Sequence, residues 1–247
     1  MELSWPIAKV PPKLAVDEAH IWAVPFDGST ASRDALFAVL SDEERQRADE
    51  FRLERPRQQF VCTRGALRIL LGHYLDVPPQ GVLFSFEAIA KPRLAESHAG
   101  SNLRFNISHS GDLGLIAITS GCDVGIDVEY RRPVKNLEQL AERYFHSAEI
   151  EEITTTIIND RNDAFFRCWT AKEAVLKAYG TGIAGALDVF EVPLEASFAG
   201  WIDLSGLKQK DKASNCWVER HAPSDDYIAA VALVGCKRQV ACYTFSM

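Results

Sequence analysis

Apolar positions run through this chain in two textures, helical spacing and strand-like runs, and each half shows the helical texture first and the strand texture later. Ile21–Val24 is a short apolar run suited to a strand. Ser41-Asp42-Glu43-Glu44 has the S-x-x-E spacing of a capping box, which opens a helix. From Gln58 to Leu75 the apolar residues Phe60, Leu67, Leu70, Leu71 and Tyr74 keep close to a 3.6-residue period, and Asp76-Val77-Pro78-Pro79 stops that helix. Strand-like runs follow at Val82–Phe86, Leu103–Ile107, Leu113–Thr119 and Asp123–Glu129, with Ser110-Gly111-Asp112 as a tight hairpin turn. After Arg131-Arg132-Pro133 the pattern turns helical again. Ser147 is the expected N-cap for Ala148–Ile158, and a long amphipathic helix over Asp163–Tyr179 ends at Gly180 and Gly182. Val189–Pro193, Phe198–Ile202, Cys216–Glu219, Tyr227–Val234 and Val240–Phe245 are strand-rich. The order predicts an α+β protein of two similar halves, residues 1–120 and 121–247, without a long flexible linker or a residue-level repeat.

Composition adds that the chain is globular and acidic. Of its 247 residues 47% are hydrophobic and 25% charged, and 27 Lys and Arg face 34 Asp and Glu for a net charge of −7. That balance argues against nucleic acid or an anionic membrane as partner. Six cysteines without a C-x-x-C exclude a zinc framework and a disulfide scaffold, so reduced thiols are expected. The longest apolar run, Tyr227–Gly235, is well short of the ~18 residues of a membrane helix, and the start lacks a signal-peptide pattern, so the expected location is cytoplasmic.

Charge is uneven. Between Arg45 and Arg68 seven Arg meet only Asp49, Glu50 and Glu54, a local +4 in a chain otherwise at −11. This is either a solvated helix face laced with ion pairs or an anion site. In Val124-Gly125-Ile126-Asp127-Val128-Glu129 the alternation places Gly125, Asp127 and Glu129 on one strand face. Side-by-side carboxylates repel unless a cation lies near, or unless the strand end is open to solvent. Glu173 and Lys177, one turn apart, fit an exposed ion pair equally well as a catalytic pair. Three such acids suit a hard divalent cation such as Mg²⁺ shared with substrate phosphate. Asn106, Ser108, His109 and Ser110 could receive a phosphate or simply build a turn. They make a poor serine nucleophile site, because neighbours on a strand point apart and no G-x-S-x-G is present.

Taken in order, Phe105-Asn-Ile-Ser-His-Ser110, Val124-Gly-Ile-Asp-Val-Glu129 and Phe166-Arg-Cys-Trp-Thr-Ala-Lys-Glu-Ala-Val-Leu-Lys177 resemble the Sfp-type 4′-phosphopantetheinyl transferases over roughly residues 40 to 195. Arg64–Arg68 and Ala90-Lys91-Pro92 also fit, although Ala90 stands where the family usually has Gly. The resemblance implies two α+β halves related by a pseudo-two-fold axis with coenzyme A in the cleft between them, and a monomer. It implies coenzyme A as donor, the serine of an apo acyl or peptidyl carrier protein as acceptor, and 3′,5′-ADP as leaving group. Asp127, Glu129 and Glu173 would hold Mg²⁺, with Glu173 also taking the serine proton and Lys177 pairing with the pyrophosphate. Ser108 and His109 would hold phosphate groups, and Lys91, Arg47 and Arg64 would meet the 3′-phosphate of coenzyme A. The other classes open to these residues are a metal-dependent phosphohydrolase and a non-catalytic module binding coenzyme A or a carrier. Arg131–Ile158, with Leu137, Leu140, Tyr144 and Phe145, is the expected carrier-facing segment, or else a helix packed on the second sheet.

Overall fold

The computed structural model describes residues 2–86, 92–180, 187–207 and 212–247. The chain forms two compact units. The first contains β1 (Ile7–Ala8), β2 (Glu18–Pro25), α1 (Thr30–Ala38), α2 (Asp42–Asp49), α3 (Glu54–Leu75), β3 (Phe84–Phe86), β4 (Pro92–Leu94), β5 (Leu103–Ser110) and β6 (Leu113–Ser120). The second contains β7 (Val124–Tyr130), α4 (Leu137–Tyr144), α5 (Ser147–Thr155), α6 (Arg161–Tyr179), β8 (Ala199–Asp203), β9 (Asn215–His221) and β10 (Tyr227–Val234). The last strand, β11 (Gln239–Phe245), belongs to the first unit, whereas sequence order had placed it with the second half.

In the first unit, five strands lie in the order β1-β11-β2-β6-β5. β2 pairs antiparallel with β6 and parallel with β11, with Trp22 opposite Ile116. Strand alternation turns Trp22, Val24, Ile116 and Ile118 to one face, where Ala66, Leu67, Leu70 and Leu71 of α3 bury against them. β5 and β6 form the expected hairpin around Gly111 and Asp112. The capping box at Ser41 is present: Ser41 Oγ accepts from the Glu44 N–H at 3.3 Å, and Glu44 Oε2 accepts from the Ser41 N–H at 3.0 Å. α1 has no counterpart in the sequence reading, because its nine residues carry a single fully buried apolar position, Leu36.

The second unit is an antiparallel sheet in the order β7-β10-β9-β8 with α6 packed on β7 and β10. α6 ends where expected, at Gly180 with φ 82°, a left-handed conformation that costs a glycine little. The N-cap of α5 is His146 rather than Ser147, and Glu149 Oε2 accepts from the His146 N–H at 2.9 Å. Val189–Pro193 is irregular rather than a strand; its carbonyls and N–H groups are met by side chains, as described below. Gly182 lies outside the described residues.

Two further expectations are corrected. Cys122 is bonded to Cys236, 114 residues away, while Cys62, Cys168, Cys216 and Cys242 form no disulfide among the described residues. One bridge between residues so far apart leaves no spacing signature. Phe145 is 3% exposed and packs on Phe165 at 5.1 Å between ring centroids, so it belongs to the core rather than to a partner surface. Leu137, Leu140 and Tyr144 also pack on that core, though only partly buried. Among the described residues no helix is long and apolar enough to cross a membrane.

Candidate active site

Gly125, Asp127 and Glu129 share the face of β7 that meets α6. A Cβ on Gly125 would collide with the Ala174 carbonyl and lie 2.5 Å from the Ala178 nitrogen, so only glycine lets the helix backbone approach this closely. The consequence is positional, since Glu173 and Lys177 flank Ala174 and Ala178 along α6 and come against the two strand acids.

Lys177 Nζ donates to Asp127 Oδ1 at 2.6 Å and to the Ile126 carbonyl at 3.2 Å. Arg132 reaches back to Glu129 Oε2 at 2.8 Å, with its guanidinium 5.1 Å from the Phe166 ring centroid. Asp127 and Glu173 are 5% and 4% exposed. Burial, reinforced by the charges of Asp127 and Glu129 and opposed by Lys177, pushes the Glu173 carboxyl up to about 7. Its Oε1 is buried with no hydrogen-bond partner among the described residues.

These residues fit a hard divalent cation in a particular way. The donors are all carboxylate oxygens, and one of them is buried and unsatisfied, yet no three His, Cys, Asp or Glu among the described residues form a ready-made metal cage. Mg²⁺ does not need one, because it keeps waters and takes substrate phosphate oxygens beside one or two carboxylates.

The basic stretch of the first unit lines a separate cavity of about 830 Å³, with Arg47, Arg64 and Arg68 among aromatic and apolar walls from Phe60, Phe84 and Ile107. The guanidinium of Arg64 lies 5.0 Å from the Phe84 ring centroid, and those of both Arg47 and Arg64 lie 5.9 Å from that of Phe60. The two buried arginines differ in their partners. Arg68 is committed to the fold, with Nε on Glu44 Oε2 at 2.5 Å and Nη1 on the carbonyls of Pro79 and Val82 at 3.0 Å each. Arg64 is 7% exposed, and its Nε lies 3.5 Å from Glu44 Oε1, within ion-pair reach but out of line for a hydrogen bond. Among the described residues its Nη1 has no hydrogen-bond partner either. A buried guanidinium with unused donors is what an anion site presents.

Ser108 and His109 are adjacent on β5 and so project from opposite faces, with Ser108 buried and His109 exposed. His109 shares the face of the cavity-lining Ile107. Lys91 lies outside the described residues.

Comparison with known proteins gives this arrangement a context. The 4′-phosphopantetheinyl transferase superfamily profile matches residues 123–232, and that of the N-terminal region of 4′-phosphopantetheinyl transferases matches residues 27–121. A 4′-phosphopantetheinyl transferase from Nostoc sp. strain PCC 7120, HetI, is 39% identical over 91% of this chain and 92% of its own length. The chain belongs to the 4′-phosphopantetheinyl transferase family.

Other transferases are more distant: Sfp of Bacillus subtilis strain 168 is 25% identical over 82% of this chain and 86% of its own. The L-aminoadipate-semialdehyde dehydrogenase-phosphopantetheinyl transferase of Homo sapiens is 31% identical over 64% of this chain and 55% of its own. The seam between the two matched profiles falls where the transferase chain passes from its first unit to its second, at Gly121 and Cys122. Three contributors escaped the sequence reading. Arg132 sits directly after the acidic strand in Arg131-Arg132-Pro133, where a cation two residues past Tyr130 was the available signal. Glu44 was legible as a cap but not as the anchor of Arg68. The aromatic walls Phe60 and Phe84 gave no signal beyond apolarity.

Proposed function

We propose that this transferase moves the 4′-phosphopantetheine group of coenzyme A to the serine of an apo carrier protein with Glu173 as the proton acceptor and Lys177 as the pyrophosphate partner. The observation that carries this reading is the placement of Glu173, a buried carboxyl with one oxygen unmatched among the described residues, beside two further acids and one turn from Lys177. A carboxylate so placed can take the proton of an attacking hydroxyl. Attack on a pyrophosphate needs charge neutralisation and alignment more than a protein nucleophile. A divalent cation, Mg²⁺ in this reading, would be held by Asp127, Glu129 and Glu173 and would neutralise developing charge on the pyrophosphate.

The remaining assignments use the chain's own donors. Lys177 offers its ammonium to the pyrophosphate oxygens. Arg64, with Arg47 at the cavity rim and Lys91, meets the 3′-phosphate, and Ser108 and His109 meet phosphate groups. Phe60 and Phe84 give a flat apolar ligand part a surface beside these cations. The carrier contact is assigned to the partly exposed residues of 131–158, with Leu140 beside Glu129 and Trp169 in a pocket of about 250 Å³. Both family profiles lie in one chain, which supports a monomer, and use of coenzyme A as donor supports a cytoplasmic location.

The test is product analysis with coenzyme A, Mg²⁺ and a panel of apo carriers. The expected result is a carrier mass gain of about 340 Da, the phosphopantetheine group, together with 3′,5′-ADP that forms only when carrier is present. Asp127→Asn and Glu173→Gln should abolish both products while the proteins stay folded. Release of 3′,5′-ADP without carrier would instead indicate hydrolysis.

A further inference from the structure

The acids of the second unit are already matched by cations of the chain itself. Lys177 lies on Asp127 at 2.6 Å and Arg132 on Glu129 at 2.8 Å, while Glu173 keeps one buried oxygen without a hydrogen-bond partner among the described residues. The two cations are differently placed. Arg132 is about half exposed, with 51% of its side-chain surface accessible, whereas Lys177 is 28% exposed and bonds a carboxylate that is 7% exposed. An ion pair shielded from solvent is screened less and competes harder than an exposed one.

We infer that Lys177 is an internal counter-cation that competes with the divalent cation for Asp127, so that the metal enters the site effectively only together with a pyrophosphate that draws the lysine away. The inference rests on the assignment of Asp127, Glu129 and Glu173 as cation ligands. The physical argument is exchange of partners. In the ligand-free protein the ammonium of Lys177 neutralises Asp127 and donates to the Ile126 carbonyl, so a metal must displace it and leave a cation next to a dication. When a pyrophosphate is present the ammonium gains a new anionic acceptor, and Asp127 is released for the metal without leaving Lys177 unpaired. Binding of the two ligands is therefore coupled, and by linkage each must tighten the other equally.

The experiment follows Mn²⁺ binding to the metal-free full chain by electron paramagnetic resonance, with and without coenzyme A, after correction for Mn²⁺ held by coenzyme A alone. The wild type should bind Mn²⁺ weakly by itself and roughly ten- to a hundredfold more tightly with coenzyme A, the range of one charge-assisted hydrogen bond. Lys177→Met should bind Mn²⁺ alone more tightly than the wild type by a similar factor, and should gain less from coenzyme A than the wild type does. Arg132→Gln should tighten Mn²⁺ binding much less, because its pair is exposed. Lys177→Gln repeats the test with a neutral hydrogen-bonding side chain should the Met variant fail to fold by circular dichroism. A folded Lys177 variant that binds Mn²⁺ no more tightly than the wild type overturns the inference. Asp127→Asn that still binds Mn²⁺ like the wild type in the presence of coenzyme A overturns instead the underlying assignment of the acids.

Discussion

Gly125 on β7 and Ala174 on α6 meet backbone to backbone, with no room between them for a methyl group. The contact that seats the acids against the helix is thus the same contact that packs the second unit. Gly125→Ala should cost at least about 3 kcal/mol, the upper end of overpacking penalties, because the obstruction is main chain and cannot rotate away. A thermal melt reads this directly. An unchanged melting temperature would mean that α6 can shift off the strand at little cost.

Arg64 and Arg68 are neighbours on one helix face with opposite commitments, which separates ligand binding from folding. Arg68→Met leaves Glu44 buried with one fewer cation and two carbonyls without their donor, and should destabilise by roughly 3–5 kcal/mol. Arg64→Met removes no hydrogen bond among those described, only the 3.5 Å ion pair with Glu44, and should destabilise much less than Arg68→Met. Its expected effect is a ten- to hundredfold rise in KM for coenzyme A and a much smaller rise for 3′-dephospho-coenzyme A, in line with about 1.5–3 kcal/mol for a charge-assisted bond. Equal losses for both donors would remove the 3′-phosphate from Arg64.

Lys172, the residue before Glu173, is fully buried and faces away from the acids. It pairs with Glu149 at 2.9 Å and donates to the carbonyls of Leu187 and Phe190 at 2.6 and 2.5 Å, while Glu149 accepts from the Val192 N–H at 2.7 Å. This pair replaces the strand expected over Val189–Pro193 with an irregular segment held by side chains. Lys172→Met alone should destabilise by about 3–5 kcal/mol, since it leaves Glu149 in the core without its cation, and adding Glu149→Gln should recover part of that loss. A double-mutant cycle by chemical denaturation checks it, and strictly additive losses would show that the charges do not interact.

His20 supplies a pH dependence. It is 1% exposed on β2, with Nδ1 2.7 Å from the Tyr74 hydroxyl of α3, Nε2 3.3 Å from Glu18, and Tyr243 of β11 edge-on to its ring. Burial holds the imidazole below its ordinary value, with Glu18 offsetting part of the effect. A histidine with a depressed folded-state pKa binds its proton more readily when unfolded, so its stabilisation is present above about pH 6.5 and is lost as pH falls through that value. The melting temperature should therefore drop between pH 7.5 and 5.5, and His20→Gln should flatten that slope. An identical slope in the variant would assign the dependence to other groups.

What the sequence made legible follows from how local each signal is. The capping box at Ser41, the hairpin at Gly111, the glycine stop at Gly180 and the shared face of Asp127 and Glu129 depend on residues within a few positions of one another. They were readable for that reason. His146 as the α5 cap and the irregular run at 189–193 depend on Glu149, whose second role is visible only once Val192 and Lys172 lie against it. The difference between Arg64 and Arg68 was invisible for the same reason, since both are Arg on one helix and only the positions of Glu44, Pro79 and Val82 tell them apart.

β11 occupies an interior place in the first sheet, between β1 and β2, although its residues are synthesised after the whole of the second unit. During translation, β2 therefore leaves the ribosome with one edge paired to β6 and the other bare for the time it takes to make more than a hundred further residues. The second unit has all its strands before that edge is covered, so the earlier-made unit is the later one to be completed. A chain lacking β11 would retain the acids of α6 and β7 and forfeit instead the integrity of the sheet beneath the arginine cavity.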